Sequence, residues 1–154
     1  MNILVSACLF GMNCKYDGGN NLSEKVRQLK DDHTLILVCP EQLGGLDTPR
    51  LPSEIQMESD QKKPRVISSD GEDVTEAFVR GAEITLNIAK VHECKLAIMK
   101  EHSPSCGVKQ VYDGSFSGKL VDGAGITSQM LMEHGITVIS EEDDFSIIEK
   151  LMVD

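Results

Sequence analysis

The chain has 154 residues, 40% of them hydrophobic and 26% charged, the composition of an ordinary globular protein built on one core. A formal net charge of −10 excludes general nucleic-acid binding, which needs clustered Lys and Arg, and 4% aromatics without Trp give no evident stacking platform for single strands. No apolar run approaches the ~20 residues of a membrane span, and no basic-then-apolar leader opens the sequence, so no membrane partner and a cytoplasmic location are expected.

Ile3-Leu-Val5 predicts a short buried parallel strand that delivers Cys8 and then Cys14, followed by a turn at Asp17-Gly18-Gly19. Asn21-Leu-Ser-Glu24 has the form of a capping box, and Leu22, Val26 and Leu29 at helical spacing predict a short helix ending by Asp31-Asp32. Thr34–Val38 is a second apolar strand, terminating at Cys39-Pro40-Glu41. The crossover should be right-handed, leaving the two strands parallel. Residues 42–64 hold Gly44-Gly45, Pro49, Pro52 and Pro64 without a sustained period, and read as an ordered, irregular loop.

Arg65–Val74 suggests a small hairpin turning at Asp70-Gly71. Asp73 is a good N-cap with Glu76 three residues on, and Val74, Phe78, Ala82, Leu86 and Ala89 mark one face of a helix reaching about Glu93. Gly81 costs that helix roughly 1 kcal/mol relative to Ala, which close packing against a strand would explain. Lys95–Met99 is the third strand and runs into Lys100-Glu-His-Ser-Pro-Ser-Cys-Gly107. Gly114, Gly118, Gly123 and Gly125 punctuate a loop with few core residues. A helix from about Thr127 to His134 stops at Gly135, Ile136–Ile139 is the fourth strand, and Asp143 caps a last helix with Phe145, Ile148 and Met152 inward. The expected architecture is α/β: a Rossmann-like or flavodoxin-like three-layer sandwich with a four-stranded, mostly parallel sheet, forming one domain over residues 1–154.

Cys8, Cys39 and Cys106 each lie at, or just past, the C-terminal end of a predicted strand. In a parallel sheet those ends share one edge, where open α/β folds bind their ligands. Converging thiolates repel one another unless a cation neutralises them, so a metal or cluster is the simplest occupant. No C-x₂₋₄-C pair is present, and the closest cysteines, Cys8 and Cys14, have five residues between them. Spacing therefore leaves zinc and iron–sulfur open. A four-iron cluster on three cysteines would leave one iron free as a Lewis acid.

Glu41, two residues past Cys39, is placed for acid–base work or for the first turn of a short helix. Ser103 and Ser105 flank Pro104 in a turn whose backbone N–H groups can point inward. Arg50 can hold an anion or a substrate oxygen, and Tyr16 and Asp17 line the pocket or form the turn. Cys94, His92, His33 and His134 all precede strands, at the opposite edge. His102 lies on the correct side.

The segments Val5-Ser-Ala-Cys-Leu9, Cys14-Lys-Tyr-Asp-Gly18, Cys39-Pro-Glu41 with Gly44-Gly-Leu46, Pro49-Arg50, Asp73-Val-Thr75 and Ser103-Pro-Ser-Cys-Gly107 together resemble the thiouracil desulfurase family. The resemblance implies a four-iron, four-sulfur (4Fe-4S) cluster held by Cys8, Cys39 and Cys106, with Cys14 also matching the family pattern. The open iron would bind the sulfur of a small thiolated pyrimidine, and water would replace that sulfur, giving uracil and hydrogen sulfide. Glu41 and Ser103 would take acid–base or orienting roles. Lys15 stands where resembling sequences often have Arg. The competing readings are a non-catalytic zinc or iron–sulfur module, a thiol-based sulfur carrier, and a nucleotide-binding domain using the Gly-rich 114–125 loop. No G-x-G-x-x-G follows a strand to support the last.

Overall fold

The computed structural model describes residues 1–57 and 63–153. In chain order the elements are β1 (Asn2–Ser6), α1 (Glu24–Arg27), β2 (Thr34–Val38), α2 (Pro40–Leu43), β3 (Ser53–Gln56) and β4 (Arg65–Ser68). They continue with α3 (Thr75–Val91), β5 (Leu96–Met99), β6 (Gln110–Tyr112), β7 (Leu120–Asp122), α4 (Ile126–Glu133), β8 (Thr137–Ser140) and α5 (Ile147–Met152). β1, β2, β5 and β8 form one sheet in the order β2-β1-β5-β8, and every pairing in it is parallel.

The sheet is covered on both faces, and strand alternation divides the core accordingly. Ile3, Val5, Leu96 and Ile98 point to one side and pack with Val26 of α1 and Ile148 of α5. Leu4, Ala97 and Met99 point to the other, against Leu86 and Ala89 of α3 and Leu131 of α4. Ile3, Leu4, Val5 and Ile98 are fully buried, each stabilising the fold by roughly 1.5–3 kcal/mol. A satellite core of Ile55, Val66, Phe78 and Val111 holds the two antiparallel ribbons, β3–β4 and β6–β7, against α3.

Several local expectations are corrected. Ser23, not Asn21, caps α1, its hydroxyl accepting from Val26 N at 3.3 Å, because Asn21 is bonded to Cys8 instead. Within 42–64, part of which lies outside the described residues, Ser53–Gln56 is a strand, and it takes Arg65–Ser68 as its partner. Arg65–Val74 does fold back at Asp70-Gly71 as expected: Gly71 N donates to the Ser68 carbonyl, Ser68 N to that of Glu72 and Val74 N to that of Val66, around the bridge Ile67–Asp73. Asp73 accepts from Thr75 N at 2.9 Å and Thr75 Oγ1 at 2.6 Å just ahead of α3, without help from Glu76. Gly81 packs against a helix, not a strand: a Cβ there would stand 1.9 Å from the Pro40 carbonyl oxygen in α2. The Gly-rich loop contains β6–β7, with Val111 buried. Asp143 does not cap α5. It pairs with Lys109 and accepts from Ser140 N, while Phe145 and Leu151 pack inward and Met152 is exposed. Among the described residues no helix is long and apolar enough to cross a membrane.

Candidate active site

Register brings the carboxyl ends of three neighbouring strands level: Ser6 pairs with Val38, and Val5 with Ile98. After β1 the chain makes a 3₁₀ turn, Ala7–Phe10, closed by Gly11 at φ +94°, and this lifts Cys8 over the sheet edge. Cys39 is the N-cap of α2, and Pro40 at the first helical position fixes the exit from β2. Glu41 sits in that first turn. Cys106 follows β5 in a loop wound around the carboxylate of Glu101, which is 4% exposed. Glu101 Oε1 accepts from the backbone N–H groups of Val108 (2.7 Å), Lys109 (3.0 Å), His102 (3.2 Å) and Gln110 (3.4 Å). Burial pushes that carboxyl up, but the four donors outweigh it and hold it below the usual range.

A cavity of about 490 Å³ opens at this edge, and Cys8, Cys14, Cys39 and Cys106 all line it together with Glu41 and Ser103. All five cysteines are free thiols. Burial, with the charge of Cys39 beside it, pushes Cys8 up, and deeper burial pushes Cys106 up despite a bond to Ser6. The proximity of the Cys14 and Cys39 thiols raises Cys14 and draws Cys39 below the ordinary thiol range. Cys39 Sγ also faces the Cys14 carbonyl oxygen, 3.7 Å away. Among the described residues no three Cys, His, Asp or Glu groups converge tightly enough to hold a single metal ion. The thiols are soft donors spread around a chamber rather than a cage around a point.

The polar residues named from the sequence divide. Ser103 lines the cavity, and its hydroxyl oxygen accepts from Ser105 N and Cys106 N, each at 3.1 Å. The backbone N–H groups of Ser105, Cys106 and Gly107 are thus engaged inside the loop rather than directed into the cavity, contrary to expectation. Arg50 lines the cavity but holds no free anion position: its guanidinium is bonded to Glu41 Oε2, with Nε and Nη2 each at 2.8 Å. Tyr16 lines the cavity, whereas Asp17 forms the turn, accepting from Gly19 N and pairing with Lys15. Cys94 is buried against Leu4 and Ala97 in the core, away from the cavity.

Sequence reasoning missed part of the lining. Tyr112 and Phe116 come from the ribbon and its loop, and His102, at φ +73°, stacks edge-on to Tyr112 with centroids 6.1 Å apart. Both tyrosines of the chain line the cavity, so the scarcity of aromatic residues was itself a signal. Glu54 Oε1 accepts from Gly114 N (2.9 Å) and Phe116 N (3.1 Å), which pins the loop carrying Phe116; nothing local in the sequence marks that contact. Lys100 lines the cavity too, paired with Glu141 at 3.1 Å.

The sequence model of the 2-thiouracil desulfurase family matches residues 3–143. Uncharacterized protein YbbK of Bacillus subtilis (strain 168) is 43% identical over 145 residues, 92% of this chain and 96% of that protein. A solved structure, that of the 4Fe-4S-dependent thiouracil desulfidase TudS, superposes with a TM-score of 0.88 at 37% identity and covers 99% of both chains.

Proposed function

The chain belongs to the 2-thiouracil desulfurase family, and from that membership we propose that it is a 4Fe-4S-dependent hydrolase of thiolated pyrimidines, converting thiouracil and water to uracil and hydrogen sulfide without net electron transfer. The observation that carries this reading is the cavity wall in which Cys8, Cys39 and Cys106 stand beside Glu41 and Ser103. The structural likeness to TudS supports the cluster as cofactor. The donor set fits it: soft thiols on one chamber, too dispersed for one ion, suit a multi-iron body. That dispersion also counts against the mononuclear zinc alternative. Cys8, Cys39 and Cys106 would hold the cluster, and Cys14, whose carbonyl oxygen lies 3.7 Å from Cys39 Sγ, stands on the same wall.

When bound, the cluster supplies an iron without a protein ligand, a thiophilic Lewis acid that favours C=S over C=O. The remaining work falls to the chain. Glu41 takes a proton from the attacking water and returns one to the departing sulfur. Ser103 Oγ already accepts two backbone N–H bonds, so its own proton is free to orient a ring oxygen or nitrogen of the substrate. Tyr16, Tyr112 and Phe116 give flat apolar surfaces suited to a planar ring. The same reading treats residues 1–154 as one domain, the ribbons being tied to α3 by Phe78 and Val111. Free thiols throughout suit a reducing, cytoplasmic compartment.

Protein assembled with iron and sulfide in the absence of oxygen should release uracil and hydrogen sulfide in equal amounts from 2-thiouracil. Cys8→Ala, Cys39→Ala and Cys106→Ala should each lose iron and labile sulfide. Glu41→Gln should keep both while turnover falls about 10²–10⁴-fold. An iron-loaded Glu41→Gln enzyme with normal turnover would remove the acid–base assignment.

A further inference from the structure

We propose that Arg50 is the positioning residue for Glu41: it holds one carboxylate oxygen so that the other alone meets the reacting water. The proposal rests on the acid–base role of Glu41. Arg50 Nε and Nη2 both bond to the same oxygen, Oε2, at 2.8 Å. Among the described residues Oε1 accepts no hydrogen bond, and no side-chain oxygen is buried without a partner. Oε1 is therefore accessible, on a side chain that lines the cavity.

The guanidinium is itself immobilised. Nη2 also donates to the Cys14 carbonyl oxygen at 3.0 Å, and Nη1 donates to Thr48 Oγ1 at 3.0 Å and to the Asp47 carbonyl at 3.1 Å. Its backbone N–H donates to the Tyr16 carbonyl at 2.7 Å. The two side chains are only 10% and 16% exposed, so water does not compete for these bonds. One planar fork thus joins α2, the Cys14 loop and the 47–50 turn, with Glu41 at their meeting point. A Lys ammonium has no fork to reproduce that geometry. Fixing the base before reaction lowers the barrier without tightening ground-state binding, so the effect belongs in kcat.

The test compares Arg50→Lys, Glu41→Gln and the double variant, each loaded with iron and sulfide without oxygen and assayed on 2-thiouracil. Arg50→Lys should keep iron, labile sulfide and KM while kcat per iron falls about 10–100-fold. The double variant should be no slower than Glu41→Gln, because Arg50 acts through that carboxylate. Thr48→Ala removes one anchor and leaves the charge. It should lower kcat several-fold at unchanged KM, and it reads the proposal even where Arg50→Lys does not fold. Loss of turnover only in proportion to lost iron, losses that multiply in the double variant, or a wild-type kcat in Thr48→Ala would each overturn the role of Arg50 and leave that of Glu41 intact. Wild-type turnover in Glu41→Gln would instead remove the acid–base reading, and the role of Arg50 with it.

Discussion

Gly81→Ala tests whether the wall bearing Cys39 and Glu41 is registered by its contact with α3. A Cβ at position 81 would stand 1.9 Å from the Pro40 carbonyl oxygen and 3.2 Å from Gly44 N, and a Cβ at Gly44 would stand 2.0 Å from the Ala77 carbonyl oxygen. Carbon and oxygen ordinarily approach to roughly 3.3 Å, so the backbones must part by about 1.4 Å. α3 has 17 residues and is packed on the sheet, whereas α2 has 4 and is tethered by its ends, so α2 moves. Overpacking costs about 1–3 kcal/mol, and better helix propensity offsets about 1 kcal/mol of that. The net change lowers Tm by at most roughly 8 °C. A shift of about 1 Å in a base or ligand costs turnover about 100-fold. Activity should therefore fall far more than stability. Parallel measurements of Tm, iron content and kcat per iron on 2-thiouracil read the two effects separately. An unshifted Tm together with wild-type kcat per iron would refute the argument.

Glu101→Gln removes the charge that four backbone N–H groups share and should lower unfolding free energy by about 2–4 kcal/mol, read by urea titration. Because the folded carboxyl lies below its unfolded value, its stabilisation is present above the ordinary carboxylate range and is lost as pH falls through the folded value. The variant should lack that part of the acid transition, and matching acid profiles would sink the assignment. Phe116→Ala should raise KM for 2-thiouracil about 2–10-fold, at unchanged kcat and iron content, if the ring stacks on substrate; an unchanged KM removes Phe116 from the binding surface. Cys94→Ala, in the core and away from the cavity, should retain iron and labile sulfide while losing about 1 kcal/mol of stability.

The parallel sheet was legible because its strands are continuous apolar runs, and Thr34–Val38 matches the observed strand residue for residue. A flavodoxin-like order, with the first strand flanked by the second and third, puts the strand ends carrying Cys8, Cys39 and Cys106 at one edge, and the observed order β2-β1-β5-β8 has that arrangement. The ribbons were not legible. Ser53–Gln56 and Gln110–Tyr112 are short, half-polar segments whose pairing depends on Phe78 and Val111 beneath them. Contacts formed at long range were equally silent. Nothing in Pro49-Arg50-Leu51 announces that the guanidinium belongs to Glu41, and Gly81 reads as a defect until Pro40 is seen against it.

The strand order also dictates when this chamber can exist during the life of a chain. β1 is flanked by β2 and β5, so Cys8 meets Cys39 after a local crossover but meets Cys106 only once β5 has docked on its other side. Parallel pairings of this kind close long loops and form slowly compared with hairpins. On a ribosome, a growing chain presents separate thiols until its first 106 residues have emerged and folded. A cofactor that needs Cys8, Cys39 and Cys106 together could not be held by all three before β5 has docked beside β1.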